Sequence, residues 1–496
     1  MEAIDLQIEN VRLEMQKLAQ THIQLLIARN QLVPLHRLPT EILSEIFLFY
    51  CCYEDKVENS LPPQHIVCQI CSRWRQLAHS LPRLWTKMAI TMVHGQFPHH
   101  ALMAKEWLGR SGSDLPVGIS FDVQDDDSTN DTGSRTAAHL PVPRGIIQLC
   151  VLPFIHRCLY LVLRLRVDDL IDFFNLPTIH APHLKTLSLQ LADPSDSPAF
   201  SHRVEIHSGD IITFNDCPNL INLYLGTDYH VVPVLESMST MKVPALEELT
   251  MEADLALNAY GYRNMLVTCN PKECTMSMSG GDVYDLLPGG NFSGSIITLT
   301  RLSLLKVELI NMSGFPTLVE GLSLPSLKVI SIEYPVSPPL TWEQDHIFRR
   351  MRDLQMRSSS SLSSFTLCNS LPQSADELLQ FLRLVPSLEA LCLTKCNIHI
   401  LQLANALVYR NSSRDDPHPS PALLPNLSSF QFEDHHDFFP DEEDDGFIAN
   451  MVMSRWWKET SSRRADVCRL NNVHIRIHGG EFDENALEPM RICRKY

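Results

Sequence analysis

The sequence predicts a mixed α and β protein in which helices come first and a long parallel β-sheet follows. Three observations predict this fold class. Apolar residues recur at helical spacing from Ile4 to Leu25, short amphipathic helices follow up to residue 90, and one strand-forming motif recurs along the C-terminal two-thirds. With 496 residues, 44% hydrophobic and 20% charged, the chain is long enough for several globular domains.

The predicted organisation has five parts. An amphipathic helix occupies residues 1–34, a helical domain 35–90, a linker with an acidic loop 91–145, a repeat domain 146–480 and a tail 481–496.

A heptad seam runs along the predicted N-terminal helix. Its positions follow a 4-3-4-3-4-3 spacing: Ile4, Ile8, Val11, Met15, Leu18, His22 and Leu25. This spacing is typical of a coiled coil. The seam could dimerise with another chain or pack on the protein's own domains. We favour the second alternative, because one run of barely four heptads is marginal by itself.

Three apolar blocks between residues 38 and 85 predict a small helical domain. The first helix lies in TEILSEIFLFY, a second follows Pro62-Pro63 and ends at Pro82, and Leu84 and Trp85 give a short third element. Roughly fifty residues are too few to bury all of these apolar side chains. We therefore expect part of this surface to need a partner.

These blocks resemble an F-box, whose pattern is L-P-x-E-[IL]-L-x-x-[IL]-F, then V/I-C-x-x-W-R-x-L-A, then P-x-L-W. The chain matches this pattern in order with Leu38, Pro39, Glu41, Ile42, Leu43, Ile46, Phe47, Ile70, Cys71, Trp74, Arg75, Leu77, Ala78, Pro82, Leu84 and Trp85. It departs from the family between Cys51 and Leu61, where the link is longer and more acidic. The alternative is a generic three-helix part of a larger core.

The resemblance implies a role in the Ubl conjugation pathway. In the family this module binds the Skp-type adaptor of cullin-RING (SCF) ubiquitin ligases, and the rest of the chain captures a protein substrate, which here is unknown. By resemblance, the adaptor-binding residues are Leu38, Pro39, Ile42, Leu43, Ile46 and Phe47. Those of the F-box core are Ile70, Cys71, Trp74, Leu84 and Trp85.

A motif of the form apolar-Pro-x-Leu-x-x-apolar-x-apolar recurs six times in the C-terminal two-thirds. Its copies are APHLKTLSL from Ala181, CPNLINLYL from Cys217, VPALEELTM from Val243, LPSLKVISI from Leu324, VPSLEALCL from Val385 and LPNLSSFQF from Leu424. Weaker copies without the proline occur at Tyr160/Leu163/Leu165, Leu302/Leu305/Val307, Leu362/Phe365/Leu367 and Leu470/Val473/Ile475.

The motif resembles that of an irregular leucine-rich-repeat solenoid, as in the large fungal F-box families. The first Leu anchors a turn into a short strand, and the last two apolar residues point inward from a parallel sheet. An α/β domain with a conventional parallel sheet is the alternative. The residue between the two inward positions should face the concave side, which gives these substrate-binding candidates: Arg164, Ser188, Tyr224, Thr250, Lys306, Ser331, Thr366, Cys392, Gln431 and His474.

Composition argues against several function classes. The net charge of −17, with 58 acidic against 41 basic residues, disfavours nucleic acid as a partner. Fourteen cysteines are too sparse for a disulfide framework, and the N-terminus lacks a secretory signal. We therefore expect an intracellular protein of the cytoplasm, the nucleus or both. The most apolar window, 146–163, contains Pro153, His156 and Arg157, so we expect no membrane span.

Catalytic and metal sites are not predicted either. The motifs Gly-x-Ser-x-Gly, His-Glu-x-x-His and Gly-x-Gly-x-x-Gly do not occur, so we expect no enzyme and no cofactor. The acidic loop with Asp122, Asp125 to Asp127 and Asp131 lacks the Gly and terminal Glu of a calcium site. The stretch EDHHDFFPDEEDDG from Glu433, and the Gly-rich segment 258–295, are predicted to be solvated loops. A leucine-rich-repeat scaffold acting outside a ubiquitin ligase is the alternative function.

Overall fold

The computed structural model describes residues 2–53, 62–93, 97–124, 150–165, 176–191, 213–214, 216–227, 243, 246–252, 259–278, 296–309, 314–334, 347–369, 374–396, 398, 400–409, 422–434, 442–455 and 467–477. The chain divides into two compact units, the first formed by residues 1–88 with 103–117 and the second by 89–102 with 118–496. Each unit is described by itself.

The first unit is helical. Its helices are α1 (Glu2–Gln31), α2 (Thr40–Tyr53), α3 (Pro63–Ile70) and α4 (Ser72–His79), with 3-10 turns at Pro34–Arg37 and Pro82–Trp85. A further helix, α5 (Phe97–Arg110), contributes its C-terminal part to this unit. The predicted N-terminal helix is thus confirmed.

The second F-box helix was predicted to be continuous. This prediction is wrong, because the helix is interrupted at Cys71. This residue is extended, with φ −160° and ψ 168°. Its sulfur accepts a hydrogen bond from the backbone N–H of Trp74 at 3.5 Å and so caps the N-terminus of α4. Two short helices therefore replace one long helix.

The second unit is built on a parallel sheet. Its strands within the described residues are β1 (Lys87–Val93), β2 (Val117–Gln124), β3 (Cys158–Leu165), β4 (Thr186–Leu191), β5 (Asn222–Thr227), β6 (Glu248–Met251), β7 (Glu273–Met278), β9 (Leu304–Leu309), β11 (Val329–Glu333), β12 (Ser364–Cys368), β13 (Ala390–Thr394), β14 (Ser429–Asp434) and β15 (Asn472–Ile477). They lie in this order across one sheet. From β3 to β15 every neighbouring pair is parallel. Strands β8 (Ile297–Thr298) and β10 (Leu322–Ser323) form a separate parallel pair.

The recurring motif explains how each strand begins. In the copy from Ala181, the N–H of Leu184 donates to the carbonyl of Ala181 at 3.2 Å. The same four-residue turn closes from Leu388 to Val385 at 3.1 Å. The motif's proline is the second residue of this turn, where its fixed φ favours the bend. The leucine that closes the turn is buried and leads directly into the strand.

Apolar residues of adjacent strands align in two rows on the inner face of the sheet. The first row is fully buried from β3 to β14 and contains Leu161, Leu187, Leu223, Leu249, Cys274, Leu305, Ile330, Phe365, Leu391 and Phe430. The second row begins two residues later, with Leu163, Leu189 and Leu225. The inward orientation predicted from the motif is confirmed, and each buried side chain contributes about 1.5–3 kcal/mol.

Helices cover this inner face. They are α6 (Ala259–Cys269), α7 (Gly314–Val319), α8 (Ile347–Ser358), α9 (Ala375–Leu382), α10 (Ile400–Leu407) and α11 (Glu442–Arg455). Phe348 of α8 and Phe381 of α9 pack around Phe365 of β12, with ring centroids 6.2 and 5.1 Å from it. The residues that alternate with the buried rows therefore lie on the opposite face.

Three segments predicted as linker or loop contain regular elements, and one of them, the stretch from Glu433, includes the end of β14 and the start of α11. Strand β2 and helix α5 lie within 91–145, and α6 and β7 lie within 258–295. Residues 125–149 and 279–295 lie outside the described part of the chain. In the part that the structure describes, the helices are too short or too polar to cross a membrane.

Candidate functional site

Trp85 forms the centre of the first unit's core. Its side chain is fully buried, and its indole Nε1 donates to the carbonyl of Ala78 at 2.8 Å. The ring meets Trp107 of α5 edge to face, with centroids 4.8 Å apart, and the Arg110 guanidinium lies 4.8 Å from its centroid. Trp107 itself donates to the carbonyl of Lys87 at 3.0 Å. Sequence reasoning missed Trp107 and Arg110, since both lie beyond the F-box motifs.

A second part of the core joins α2 to α4. Leu43 and Phe47 are 0% and 1% exposed, and the Phe47 ring lies 4.9 Å from that of Trp74. We predicted Leu43 and Phe47 to be adaptor-binding residues. In this structure both side chains pack inside the unit, and their contact with an adaptor stays a prediction.

The adaptor candidates that do face solvent form a stripe on α2. Ile42, Ile46 and Phe49 are 49%, 43% and 66% exposed, and their spacing places them on one side of the helix. Pro39 is exposed and Leu38 is half-buried at the start of this stripe. We call these five residues the α2 stripe.

Helix α3 presents a shorter apolar stripe. Ile66 and Ile70 are 37% and 52% exposed, whereas Val67 and Cys68 on the other side are buried. Ile70 was predicted to belong to the core and is corrected to a surface residue. The break at Cys71 ends α3 at Ile70, so this side chain is not carried into the core with Trp74.

Two arginines hold the segments around these stripes. Arg73 Nη2 donates to the carbonyl of Leu38 at 3.3 Å, and Arg75 Nε donates to the carbonyl of Cys68 at 2.8 Å. The first contact fixes the Leu38-Pro39 junction to α4. The second ties the end of α3 to α4.

An F-box-like family model matches residues 35–91. The chain therefore carries an F-box-like domain, and F-box domains generally bind Skp-type adaptors. The match covers about a tenth of the chain and includes the α2 stripe, the α3 stripe and Trp85. A search of curated proteins finds no matching relative.

Beyond the F-box-like domain, most of the predicted substrate-binding residues align in one row on the open face of the sheet. The strand register pairs them consecutively, and we call them the polar row: Ser188, Tyr224, Thr250, Thr275, Lys306, Ser331, Thr366, Cys392, Gln431 and His474. All are half-buried or exposed except Ser188, which is 7% exposed. Thr275 is a member that sequence reasoning missed.

Arg164 does not belong to the polar row. Strand β3 pairs with β4 so that Val162 lies opposite Ser188, while Arg164 lies opposite Gln190. The anchor of β3 is the buried Cys158, so the weak sequence copy starting at Tyr160 was placed two residues too late. The Arg164 guanidinium instead approaches the carboxylate of Asp122 at 3.8 Å.

A second row on the same face, two residues further along each strand than the polar row, is rich in carboxylates. The register aligns Glu308 with Glu333, Glu333 with Cys368, Cys368 with Thr394 and Thr394 with Glu433. Sequence reasoning did not single out these glutamates, because only one position per repeat was considered.

Tyr224 is held in a defined orientation. Its hydroxyl donates a short hydrogen bond to Glu252 Oε2. The Tyr224 ring lies over Gly226, two residues further along the same strand. A Cβ at position 226 would lie 2.8 Å from the ring, so glycine is needed there. This large amphipathic side chain therefore presents a fixed surface.

Two cysteines lie side by side on the same face. Cys392 is in the polar row, and Cys368 is on the adjacent strand β12. A hydrogen bond from the Cys368 thiol lowers the pKa of Cys392 to about 6, and the same contact together with burial raises the pKa of Cys368.

Metal-binding clusters do not occur among the described residues. Asp125 to Asp127, Asp131 and the adjacent His435-His436 lie outside them. The described ends of both stretches are regular, since Asp122 lies in β2, Glu433 and Asp434 end β14, and α11 begins at Glu442, while the predictions for the residues between these ends stay predictions.

Proposed function

We propose that this protein is the substrate-recognition subunit of an SCF-type (cullin-RING) ubiquitin ligase. The observation that carries the proposal is the F-box-like match at residues 35–91 together with the exposed α2 and α3 stripes. Single exposed apolar residues are common, but several of them on the surface of a small domain indicate a protein-binding site. In this proposal the stripes bind a Skp-type adaptor, which links the chain to a cullin.

The second unit is proposed to be an irregular leucine-rich-repeat array that holds the substrate. Support comes from the stacked parallel strands, their shared turn and the aligned buried rows. The polar row varies in chemistry along this regular scaffold, as expected for a surface that recognises a protein. The chain would act by binding, without catalysing a reaction itself.

Adaptor binding tests the first part of this proposal. We expect Ile42→Asp with Ile46→Asp to weaken binding to a purified Skp-type adaptor at least about 100-fold, because each change places a charge in an apolar contact. Leu38→Ala with Pro39→Ala should weaken binding by a smaller factor. Titration calorimetry on the full chain measures both effects.

The control is Leu102→Asp, which changes a 65% exposed leucine outside residues 35–91. It should leave adaptor affinity unchanged. If the unmodified chain does not bind the adaptor, the ligase proposal is wrong and a scaffold outside a ubiquitin ligase becomes the better account.

Substrate capture tests the second part. Replacing Tyr224, Lys306 and His474 together by Ala should remove the substrate from co-purified proteins while adaptor binding persists, since these are the bulkiest polar side chains of the polar row. Quantitative mass spectrometry of affinity-purified complexes gives the readout. The matched control replaces Arg349, Arg350 and Arg383, which lie on α8 and just after α9. Retention of every co-purifying protein by the polar-row variant would place capture elsewhere.

A further inference from the structure

An apolar seam lies exposed along the whole of α1. Its apolar members are each between 51% and 70% exposed: Ile4, Ile8, Val11, Met15, Leu18 and Leu25. A helix of 30 residues is about 45 Å long. Helices in proteins gain most of their stability by packing such a face against another surface. Within the described part of the chain, the seam is therefore not packed on the protein's own domains, which corrects the alternative favoured from the sequence, and it calls for a straight apolar partner of similar length.

The period of the seam identifies the kind of partner. A 4-3 alternation averages 3.5 residues, which keeps the apolar positions facing a second helix that supercoils with the first. A flat or irregular surface would not require this period. We propose that the α1 helix of a second copy of this chain covers the seam, and that the two helices run antiparallel.

Charge complementarity favours the antiparallel direction. The N-terminal half of α1 carries the acidic residues Glu2, Asp5, Glu9 and Glu14 and one basic residue, Arg12. The C-terminal half carries Lys17 and Arg29 and contains no carboxylate. An antiparallel pair brings each acidic half beside the basic half of the second copy. A parallel pair would bring like charges together.

The seam residues also fit this direction. Centring the pair between Met15 and Leu18 places Met15 opposite Leu18 of the second copy. Ile8 then lies opposite Leu25, and Arg29 lies opposite Ile4, next to Asp5. In heptad notation, each of these pairs joins an a position of one helix to a d position of the other, which is the pairing of antiparallel coiled coils. In a parallel pair, Arg29 would face Arg29 of the second copy, which costs energy at an apolar interface.

This inference does not depend on the proposed ligase function, because α1 lies before the F-box-like domain. Sedimentation equilibrium of the full chain at micromolar concentration should give twice the chain mass of 56.3 kDa. Val11→Glu with Leu18→Glu should reduce the mass to that of one chain. Adaptor binding should be the same for both proteins. A single-chain mass for the unmodified protein would overturn the proposal.

The matched control is Leu6→Glu with Leu13→Glu. These leucines are 66% and 49% exposed on α1 but lie outside the seam. The control adds the same charge to the same helix and should retain the doubled mass. Loss of the dimer in this control, with retention in the seam variant, would contradict the assigned face.

The relative direction of the two α1 helices is tested by mixing an Ile8→Cys chain with a Leu25→Cys chain under mild oxidation. Peptide mapping should find position 8 of one chain linked to position 25 of the other, and no link between two copies of position 8. A link between two copies of position 8, without a link from position 8 to position 25, would establish a parallel pair and overturn the antiparallel assignment.

Discussion

Replacing Trp85 by Ala should lower the free energy of unfolding of the F-box-like domain by about 3–5 kcal/mol, the range for removing a large buried aromatic side chain. Trp85 is fully buried against Trp107, and Arg110 lies over its ring. The substitution leaves a cavity between α4 and α5 and removes the hydrogen bond to Ala78. Because the domain is small, such a loss can exceed its stability, and the proposed adaptor binding would then disappear.

Hydrogen exchange across a urea series measures this effect separately in the two units. Amides of α3 and α4 should lose protection in Trp85→Ala, whereas those of β9 to β13 should keep it. A pair of milder variants sharpens the test. Trp85→Phe should cost more than Trp74→Phe, because Trp85 Nε1 has a hydrogen bond and Trp74 Nε1 is buried without one in the described structure. A loss under about 1 kcal/mol for Trp85→Ala would contradict its central place in the core.

Arg455→Ala should destabilise the C-terminal part of the second unit by about 3–5 kcal/mol, because each buried carbonyl that loses its donor costs about 1–3 kcal/mol and three carbonyls are affected. Arg455 ends α11 and has no exposed side-chain surface. Its guanidinium donates to the carbonyls of Leu407 at 2.7 Å, Leu424 at 2.8 Å and Leu423. It thereby joins the end of α10, the turn before β14 and α11. The Ala variant leaves three carbonyls without this donor.

Arg455→Lys should also be costly, since one ammonium group cannot reach three carbonyls arranged around a planar fork. The control is Arg383→Ala, an exposed arginine after α9, which should change stability by less than about 0.5 kcal/mol. Exchange of the β14 and β15 amides reports the effect. Equal protection in Arg455→Ala and the control would show that the three contacts do not stabilise this region.

The strands of the second unit could be predicted where their motif contains its usual residues. Leucine after a proline turn marks the strand start, and six copies carry both residues. The prediction was wrong or incomplete where another residue occupies the buried anchor. Cys158 anchors β3 and the buried Pro271 holds the same position before β7, so Arg164 was misplaced and Thr275 was missed. Neighbouring strands, not local sequence, set the register in these two places.

The surface of the F-box-like domain was harder to predict than its presence. Helix α2 is apolar on two adjacent sides, one with Leu43 and Phe47 and the other with Ile42 and Ile46. Helical periodicity places residues on a side but does not tell which of two apolar sides is buried. Packing against Trp74 decides this, and that contact is tertiary. The role of Trp107 depends on long-range packing in the same way.

In the proposed mode of substrate capture, the polar row also sets a length scale for the substrate. Ten strands from Ser188 to His474 contribute one residue each, and strands are spaced about 4.8 Å apart, so the row extends over roughly 43 Å along the sheet. A fully extended peptide covers about 3.4 Å per residue, so about a dozen residues would be needed to span it. Shorter segments would contact only some of the repeats. Truncated peptides from a bound partner should therefore lose affinity in steps, one strand spacing at a time.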